Sequence, residues 1–273
     1  MTLSRKLYEC LPRPFRPIIR SGYRRLHPDR VPETEVKRSR DQFVADVFDS
    51  QAEYLSYLDE LTEEPVASYL DEAKLRLEAE RGKVSIGNEY FHDVYAYVRK
   101  TKPDVVVETG VRDGWSTLYI LSALDLNNNG HLYSVDFPIR ADEDDDEYKR
   151  EAPSYEDISP TIPAGTNPGW IVPDSLHDCW TLRIGKSQTE LPELFTELDH
   201  IDVFVHDSDH SLPCMMLEYE LAWEWLGDEG IIFSDDISWN DAFDEFAVSK
   251  DCKHGTTAET FGYFQKEKTP NGS

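Results

Sequence analysis

The sequence predicts an α/β fold in which a doubly wound, mostly parallel sheet carries helices on both faces. Short apolar runs alternate with helical stretches from Asp104 onward, whereas residues 41–100 show only helical spacing. Strands that alternate with helices pair in parallel through helical crossovers. Six strands are predicted, at Val105–Glu108, His131–Val135, Thr181–Ile184, Ile201–His206, Gly230–Ser234 and Thr260–Gln265. Ligands of such sheets bind at the carboxyl ends of the strands.

Helices are predicted between these strands by apolar residues that recur at intervals of three and four. They run from Asp113 or Ser116 to Leu124, and over Gln188–Leu198, Ser211–Leu226 and Trp239–Val248. We therefore divide the chain into a basic segment (1–40), a helical extension (41–100) and a main domain (101–268). Residues 137–180 interrupt the alternation. An insertion this long is usually either disordered or a lid, and this one leaves from the end of the second strand, beside the predicted ligand site.

Charge limits the classes of partner. The chain of 273 residues carries 54 acidic and 28 basic residues, a formal charge of −26, which argues against nonspecific binding to nucleic acid. Acid-rich surfaces of this kind resemble those of halophilic proteins, in which salt screens the self-repulsion. Residues 1–40 differ, with 11 Lys or Arg against four Asp or Glu. This segment could lie peripherally on an anionic membrane, or dock on the acidic body of its own chain or of a partner subunit.

The cysteines and the hydropathy pattern predict a cytoplasmic protein. Four scattered cysteines, with no Cys-x-x-Cys pair, predict neither a disulfide framework nor a zinc site. No apolar run approaches the roughly 18 residues that a membrane span requires, and the N-terminus has no long apolar stretch typical of a secretory signal.

A glycine-containing turn follows the first predicted strand. The pattern Glu108-x-Gly110-x-x-x-Gly114 places glycines where the backbone turns sharply and approaches a ligand. The next helix offers free N–H groups at its start, near Ser116, which suit the carboxylate or ribose region of an adenosine ligand. Taken alone, the pattern could equally be a tight strand-to-helix turn.

The second strand ends in Asp136, whose carboxylate can accept hydrogen bonds from both ribose hydroxyls. A nicotinamide-binding domain would show Gly-x-Gly-x-x-Gly, but Arg112 stands at the second glycine position. Acid-x-Gly-x-x-x-Gly followed by an acid-ended strand resembles the class I S-adenosylmethionine-dependent methyltransferases, which have a Rossmann-like fold. The resemblance implies that Glu108 contacts the methionine part of S-adenosyl-L-methionine and Asp136 the ribose. It also implies cofactor roles for Gly110, Ser116 and, near the adenine, Ser187.

Acidic and imidazole side chains follow the fourth and fifth strands, which are neighbours in a doubly wound sheet. Asp207 and His210 follow one strand, and Asp235 and Asp236 follow the other. Acids at such an inner rim repel one another, and a divalent cation would neutralise them. Asp207, Asp235 and Asp236 offer oxygen ligands that suit Mg²⁺. His210 could take a proton from the acceptor, or could instead make a structural hydrogen bond.

The spacing Asp-x-x-His followed by paired acids resembles the metal-dependent sugar O-methyltransferases and the related cephalosporin-hydroxylase-like group. That family often has Glu-Asp at the pair, where this chain has Asp235-Asp236. The resemblance implies O-methylation of a hydroxylated acceptor, such as a sugar of a glycan or glycolipid, with Mg²⁺ bound by the acids and His210 as the base. The alternatives are a metal-dependent hydroxylase-like enzyme on the same fold and a non-catalytic binding or assembly protein.

Overall fold

A computed structural model describes residues 33–82, 90–140 and 161–268. Their main sheet has seven strands in the order β5-β2-β1-β6-β7-β9-β8. The strands are β1 (Val105–Thr109), β2 (His131–Asp136), β5 (Trp180–Ile184), β6 (Ile201–His206), β7 (Leu226–Ser234), β8 (Lys253–Thr256) and β9 (Gly262–Gln265). Strands β5, β2, β1, β6 and β7 are parallel, and β9 is antiparallel to both β7 and β8. The predicted mostly parallel α/β sheet is confirmed.

Helices cover both faces of this sheet. They are α1 (Glu33–Val47), α2 (Gln51–Asp59), α3 (Val66–Arg81), α4 (Tyr90–Thr101), α5 (Trp115–Asn127), α6 (Ser187–Glu197), α7 (Leu212–Trp225) and α8 (Ala242–Lys250). Helices α1–α5 share one buried core with sheet residues such as Val106, whereas α6–α8 share a second core with residues such as Val107. Because successive strand residues face opposite sides, β1 contributes alternately to the two cores.

One helix boundary and one strand near the C-terminal end differ from the prediction. Helix α8 begins at Ala242 rather than Trp239, since the side-chain oxygen of Asn240 accepts a hydrogen bond from the Ala242 N–H (2.8 Å) and closes a turn before the helix. Strand β8 was not predicted, because Lys253–Thr256 contains no apolar alternation. Its pairing with β9 creates the antiparallel edge of the sheet.

Part of the insertion lies within the described residues. A short β3 (Ile139–Arg140) pairs in parallel with β4 (Thr161–Ile162), and a 3-10 helix covers Asp174–Cys179. Residues 141–160, including the acidic run, lie outside the described residues, as do residues 1–32 of the basic segment. None of the helices in the described ranges is both long and apolar enough to cross a bilayer.

Candidate active site

The predicted site residues lie along one edge of the sheet, where the parallel strands end. Asp207 follows β6 and its N–H donates to the Thr109 carbonyl at the end of β1 (2.9 Å). Asp235 follows β7 and its N–H donates to the His206 carbonyl at the end of β6 (2.9 Å). The loops after β1, β6 and β7 are therefore adjacent, as the strand order requires.

The turn after β1 is built around two glycines with positive φ. Gly110 has φ +82°, and a Cβ placed there would lie 1.9 Å from the Asp207 carbonyl oxygen. Gly114 has φ +108°, and its Cβ would lie 2.7 Å from the Gly169 Cα in the insertion. Glycine is needed at both positions because the backbone is left-handed and another main chain approaches closely. Gly114 also precedes Trp115, the first residue of α5, so the helix begins between the two predicted start positions, Asp113 and Ser116.

Asp136 holds the glycine turn through its carboxylate. Its Oδ2 accepts hydrogen bonds from the N–H groups of Val111 (2.6 Å) and Arg112 (2.7 Å). Burial raises the pKa of Asp136, while these two backbone donors lower it. Both described hydrogen bonds use Oδ2, so Oδ1 is the oxygen that could accept from a ribose hydroxyl. This arrangement fits the cofactor role that the resemblance implies.

Glu108 is fully buried and faces hydroxyl groups. Its carboxylate accepts hydrogen bonds from Ser116, from Thr117 (2.7 Å) and from Ser134 (2.9 Å). Burial raises the pKa of Glu108 to about 7, although the three hydroxyl donors lower it. Glu108 and Ser116 thus tie β1, β2 and α5 together beneath the glycine turn. Ser187, at the start of α6, is also buried, with its Oγ 3.8 Å from the Cys214 sulfur.

His210 lies at the rim between β6 and α7. Its ring packs against the rings of His206 (5.2 Å between centroids) and Trp239 (5.6 Å), and its Nε2 is 3.7 Å from Asp207 Oδ1. Burial, with a contribution from the charge of His206, lowers the pKa of His210 to about 3. The imidazole is therefore neutral near pH 7 and can accept a proton, and the resulting cation would face Asp207.

The three acids predicted to bind Mg²⁺ do not form a metal centre here. Burial, followed by the charges of Asp235 and Asp236, raises the pKa of Asp207 well above its ordinary value. However, no group of three or more His, Cys, Asp and Glu side chains within the described ranges is arranged to hold a metal ion. Asp235 is instead engaged by the Tyr90 hydroxyl, which donates to its Oδ2 (2.8 Å). Asp236 has a left-handed backbone with φ 49°. The described geometry does not fit the predicted ligand set.

Glu218 is a residue of this edge that the sequence prediction missed. It lies on α7, is fully buried and accepts hydrogen bonds from Thr109, His206 and Ser208, each at 2.6 Å. A signal was present in the helical pattern, because Glu218 interrupts an otherwise apolar buried stripe. Asp209 Oδ1 accepts a hydrogen bond from the N–H of Ser211, the residue that caps α7 (2.9 Å).

The described end of the insertion packs against the glycine turn. The Gly169 N–H donates to the Arg112 carbonyl (2.9 Å), and the Trp170 Nε1–H donates to Asp113 Oδ1 (2.8 Å). Arg81 at the end of α3 donates to the same carboxylate oxygen (2.6 Å). Asp113 thus joins the glycine turn to the insertion and to the helical region.

One family model and several solved structures are similar to the chain. A family model described as a methyltransferase domain matches residues 107–237, from within β1 to just after the Asp235–Asp236 pair. Solved structures similar to the chain include an O-methyltransferase from Bacillus cereus in complex with SAH, at 12% identity over 84% of this chain and 98% of that chain, with a TM-score of 0.45. Another is the cofactor-bound Rv0187 from MTB, at 13% identity over 79% and 97%, with a TM-score of 0.46. No curated protein sequence is significantly similar to the chain. Residues 107–237 are therefore similar to a methyltransferase domain.

Proposed function

We propose that the chain is an O-methyltransferase that uses S-adenosylmethionine to methylate a hydroxylated small-molecule acceptor, such as a sugar of a glycan or glycolipid. The observation that carries this proposal is the joint position of Asp136 and the neutral His210 at one sheet edge. Asp136 holds the glycine turn with one oxygen, which leaves the other for a ribose hydroxyl. His210 lies three residues after Asp207, in the loop that follows β6, the strand beside β1.

The chain's own residues would position the reactants and take the proton. S-adenosylmethionine, when bound, supplies a methyl group on a positively charged sulfur. His210 would accept the acceptor's hydroxyl proton as the oxygen–methyl bond forms and the methyl–sulfur bond breaks, and Asp207 Oδ1 lies 3.7 Å from the Nε2 of that ring. Glu108 and Ser116 would support the glycine turn from below, and Ser187 would lie near the adenine.

The cofactor part of the proposal is tested by isothermal titration with S-adenosylhomocysteine. Asp136→Asn keeps the size of the side chain but replaces an acceptor oxygen and removes the charge. We expect S-adenosylhomocysteine to bind at least about tenfold more weakly, because roughly one charge-assisted hydrogen bond is lost. Asp199→Asn, an exposed position far from the glycine turn in sequence, is the matched control and should bind like the wild type. A wild-type protein that does not bind S-adenosylhomocysteine would contradict the proposed function.

Assistance by Mg²⁺ through Asp207, Asp235 and Asp236 stays a separate prediction from the sequence. No catalytic step is assigned to the metal here, because the described acids are not arranged to hold it. If the prediction is right, EDTA should abolish methyl transfer, and Mg²⁺ added in excess should restore it. If EDTA leaves the activity unchanged and Asp207→Asn still binds S-adenosylhomocysteine, the prediction of Mg²⁺ assistance is wrong. The proposed methyltransferase function would be unaffected by that result.

The predicted location and partners are also separate from the chemistry. We still predict a halophilic and cytoplasmic protein. We also predict that residues 1–40 contact a membrane peripherally or mediate self-association. Residues 1–32 lie outside the described ranges.

A further inference from the structure

Glu218 is a buried carboxylate whose two oxygens both receive hydrogen bonds. Oε2 accepts from the Thr109 hydroxyl (2.6 Å) and from His206 Nδ1 (2.6 Å). Oε1 accepts from the Ser208 hydroxyl (2.6 Å) and from the Cys214 thiol (3.5 Å). A carboxylate removed from water is costly unless donors compensate it, so this arrangement differs in kind from the acidic surface. We call Glu218 and its donors Thr109, His206 and Ser208 the Glu218 cluster.

The charge state of the cluster follows from its surroundings. Burial alone would raise the pKa of Glu218, but the charge of His206 and the hydroxyl donors lower it to about 2. An ionised carboxylate can only accept hydrogen bonds, so His206 Nδ1 carries the hydrogen in their contact. The other ring nitrogen, Nε2, is buried and has no hydrogen-bond partner among the described residues. Within that part of the chain, Glu218 is therefore the hydrogen-bonding anchor of the His206 ring.

The donors of the cluster come from both halves of the proposed site. Thr109 is the last residue of β1 and directly precedes Gly110 of the glycine turn. Ser208 lies between Asp207 and Asp209, in the segment that leads to His210. The His206 ring itself contacts the His210 ring edge to face, with centroids 5.2 Å apart. Glu218 on α7 thus contacts Thr109 beside the glycine turn and Ser208 beside Asp207. It also contacts the His206 ring, which packs against His210, the proposed base.

We propose that Glu218 is a positioning residue that holds the end of β1 and the 208–210 segment in one arrangement, so that the glycine turn and His210 are ordered together. The contacts of Glu218 do not depend on the proposed function, but the role inferred for them rests on it. The competing interpretation is that the His206–Glu218 pair only fastens α7 to the sheet. That interpretation predicts a general loss of stability and no selective effect on residues 208–210.

Amide hydrogen exchange of the full chain separates the two interpretations. Glu218→Gln keeps the shape but removes the charge, and its amide group places a donor where hydroxyls now donate. In the free protein we expect exchange of the 208–211 amides to become at least tenfold faster, with the central amides of α7 unchanged. Glu220→Gln, the same substitution two residues along the same helix at a partly exposed residue paired with Lys250, is the matched control and should behave like the wild type.

Addition of S-adenosylhomocysteine tests the link to the proposed function. In the wild type it should slow exchange in both 110–117 and 208–211, whereas in Glu218→Gln only the first segment should be protected. Equal protection of 208–211 in both proteins, or a uniform rise in exchange throughout α7, would overturn the inference. Should Glu218→Gln fail to fold, Thr109→Val and Ser208→Ala each remove one donor and must give the same selective pattern. Failure of the wild type to bind S-adenosylhomocysteine would contradict the proposed function, while the free-protein comparison would still decide the role of Glu218.

Discussion

Gly110→Ala should destabilise the protein by roughly 3–5 kcal/mol and abolish binding of S-adenosylhomocysteine. The added Cβ would lie 1.9 Å from the Asp207 carbonyl oxygen and 2.4 Å from its carbonyl carbon. These are main-chain atoms fixed by the pairing of β1 with β6, so neither side can yield by rotating a side chain. The left-handed backbone at φ +82° adds a further cost. The free energy of unfolding, measured with denaturant, reports the loss.

Variants at two other glycines distinguish the steric clash of an added Cβ from the strain of a left-handed backbone. Gly82 and Gly165 also have positive φ, at +75° and +72°, but a Cβ at either position would meet no atom within 4 Å. Alanine at these positions should cost only about 1–2 kcal/mol. If Gly110→Ala costs no more than Gly165→Ala, the close approach of the glycine turn to Asp207 is not a constraint on the fold.

His210→Ala should lower kcat by about 10²–10⁴-fold while S-adenosylhomocysteine affinity stays within about twofold. The imidazole is proposed to take the proton of the acceptor hydroxyl, a role that alanine cannot fill. The cofactor is proposed to contact the glycine turn and Asp136 instead, which explains why its affinity should be preserved. Formation of S-adenosylhomocysteine at saturating cofactor, with stopped and continuous assays compared, measures the effect.

The control for this variant is His200→Gln, which changes a histidine whose side chain is 53% exposed. It should leave kcat unchanged. Loss of cofactor binding in His210→Ala would assign the residue to the framework of the site. A kcat within threefold of the wild type would remove it as the base.

The sequence predicted the sheet well because buried parallel strands are apolar runs, and such runs are visible without knowledge of their partners. Strand β8 could not be predicted in this way, because it lies at an edge of the sheet, where polar residues are tolerated. Helical periodicity was a less reliable guide to burial in residues 41–100, since Leu75 is an apolar residue of this helical region and is 68% exposed. An apolar residue can therefore fit the period and still face solvent.

The candidate site was predicted in outline but not in its contacts. Asp136, Asp207 and His210 could be predicted as candidates because acids and imidazoles at strand ends are local signals. The partners of these strand ends come from helices that are distant in sequence: Tyr90 from α4 contacts Asp235, and Glu218 from α7 contacts Thr109. Which helical residues face the sheet edge depends on helix rotation, which a single sequence fixes only through its apolar stripe. The contacts of Glu218 with Thr109 and Ser208 therefore could not be predicted from the sequence.

The most direct test of the central claim follows a labelled methyl group. The full chain should be incubated with methyl-labelled S-adenosylmethionine and a panel of sugars, glycolipid headgroups and phenols. The proposed function predicts that one acceptor class gains a base-stable methyl ether, with one S-adenosylhomocysteine released for each methyl group transferred. His210→Ala should give less than one-tenth of the product. Acceptor-independent release of S-adenosylhomocysteine, or transfer of the label to nitrogen or carbon instead of oxygen, would contradict O-methylation.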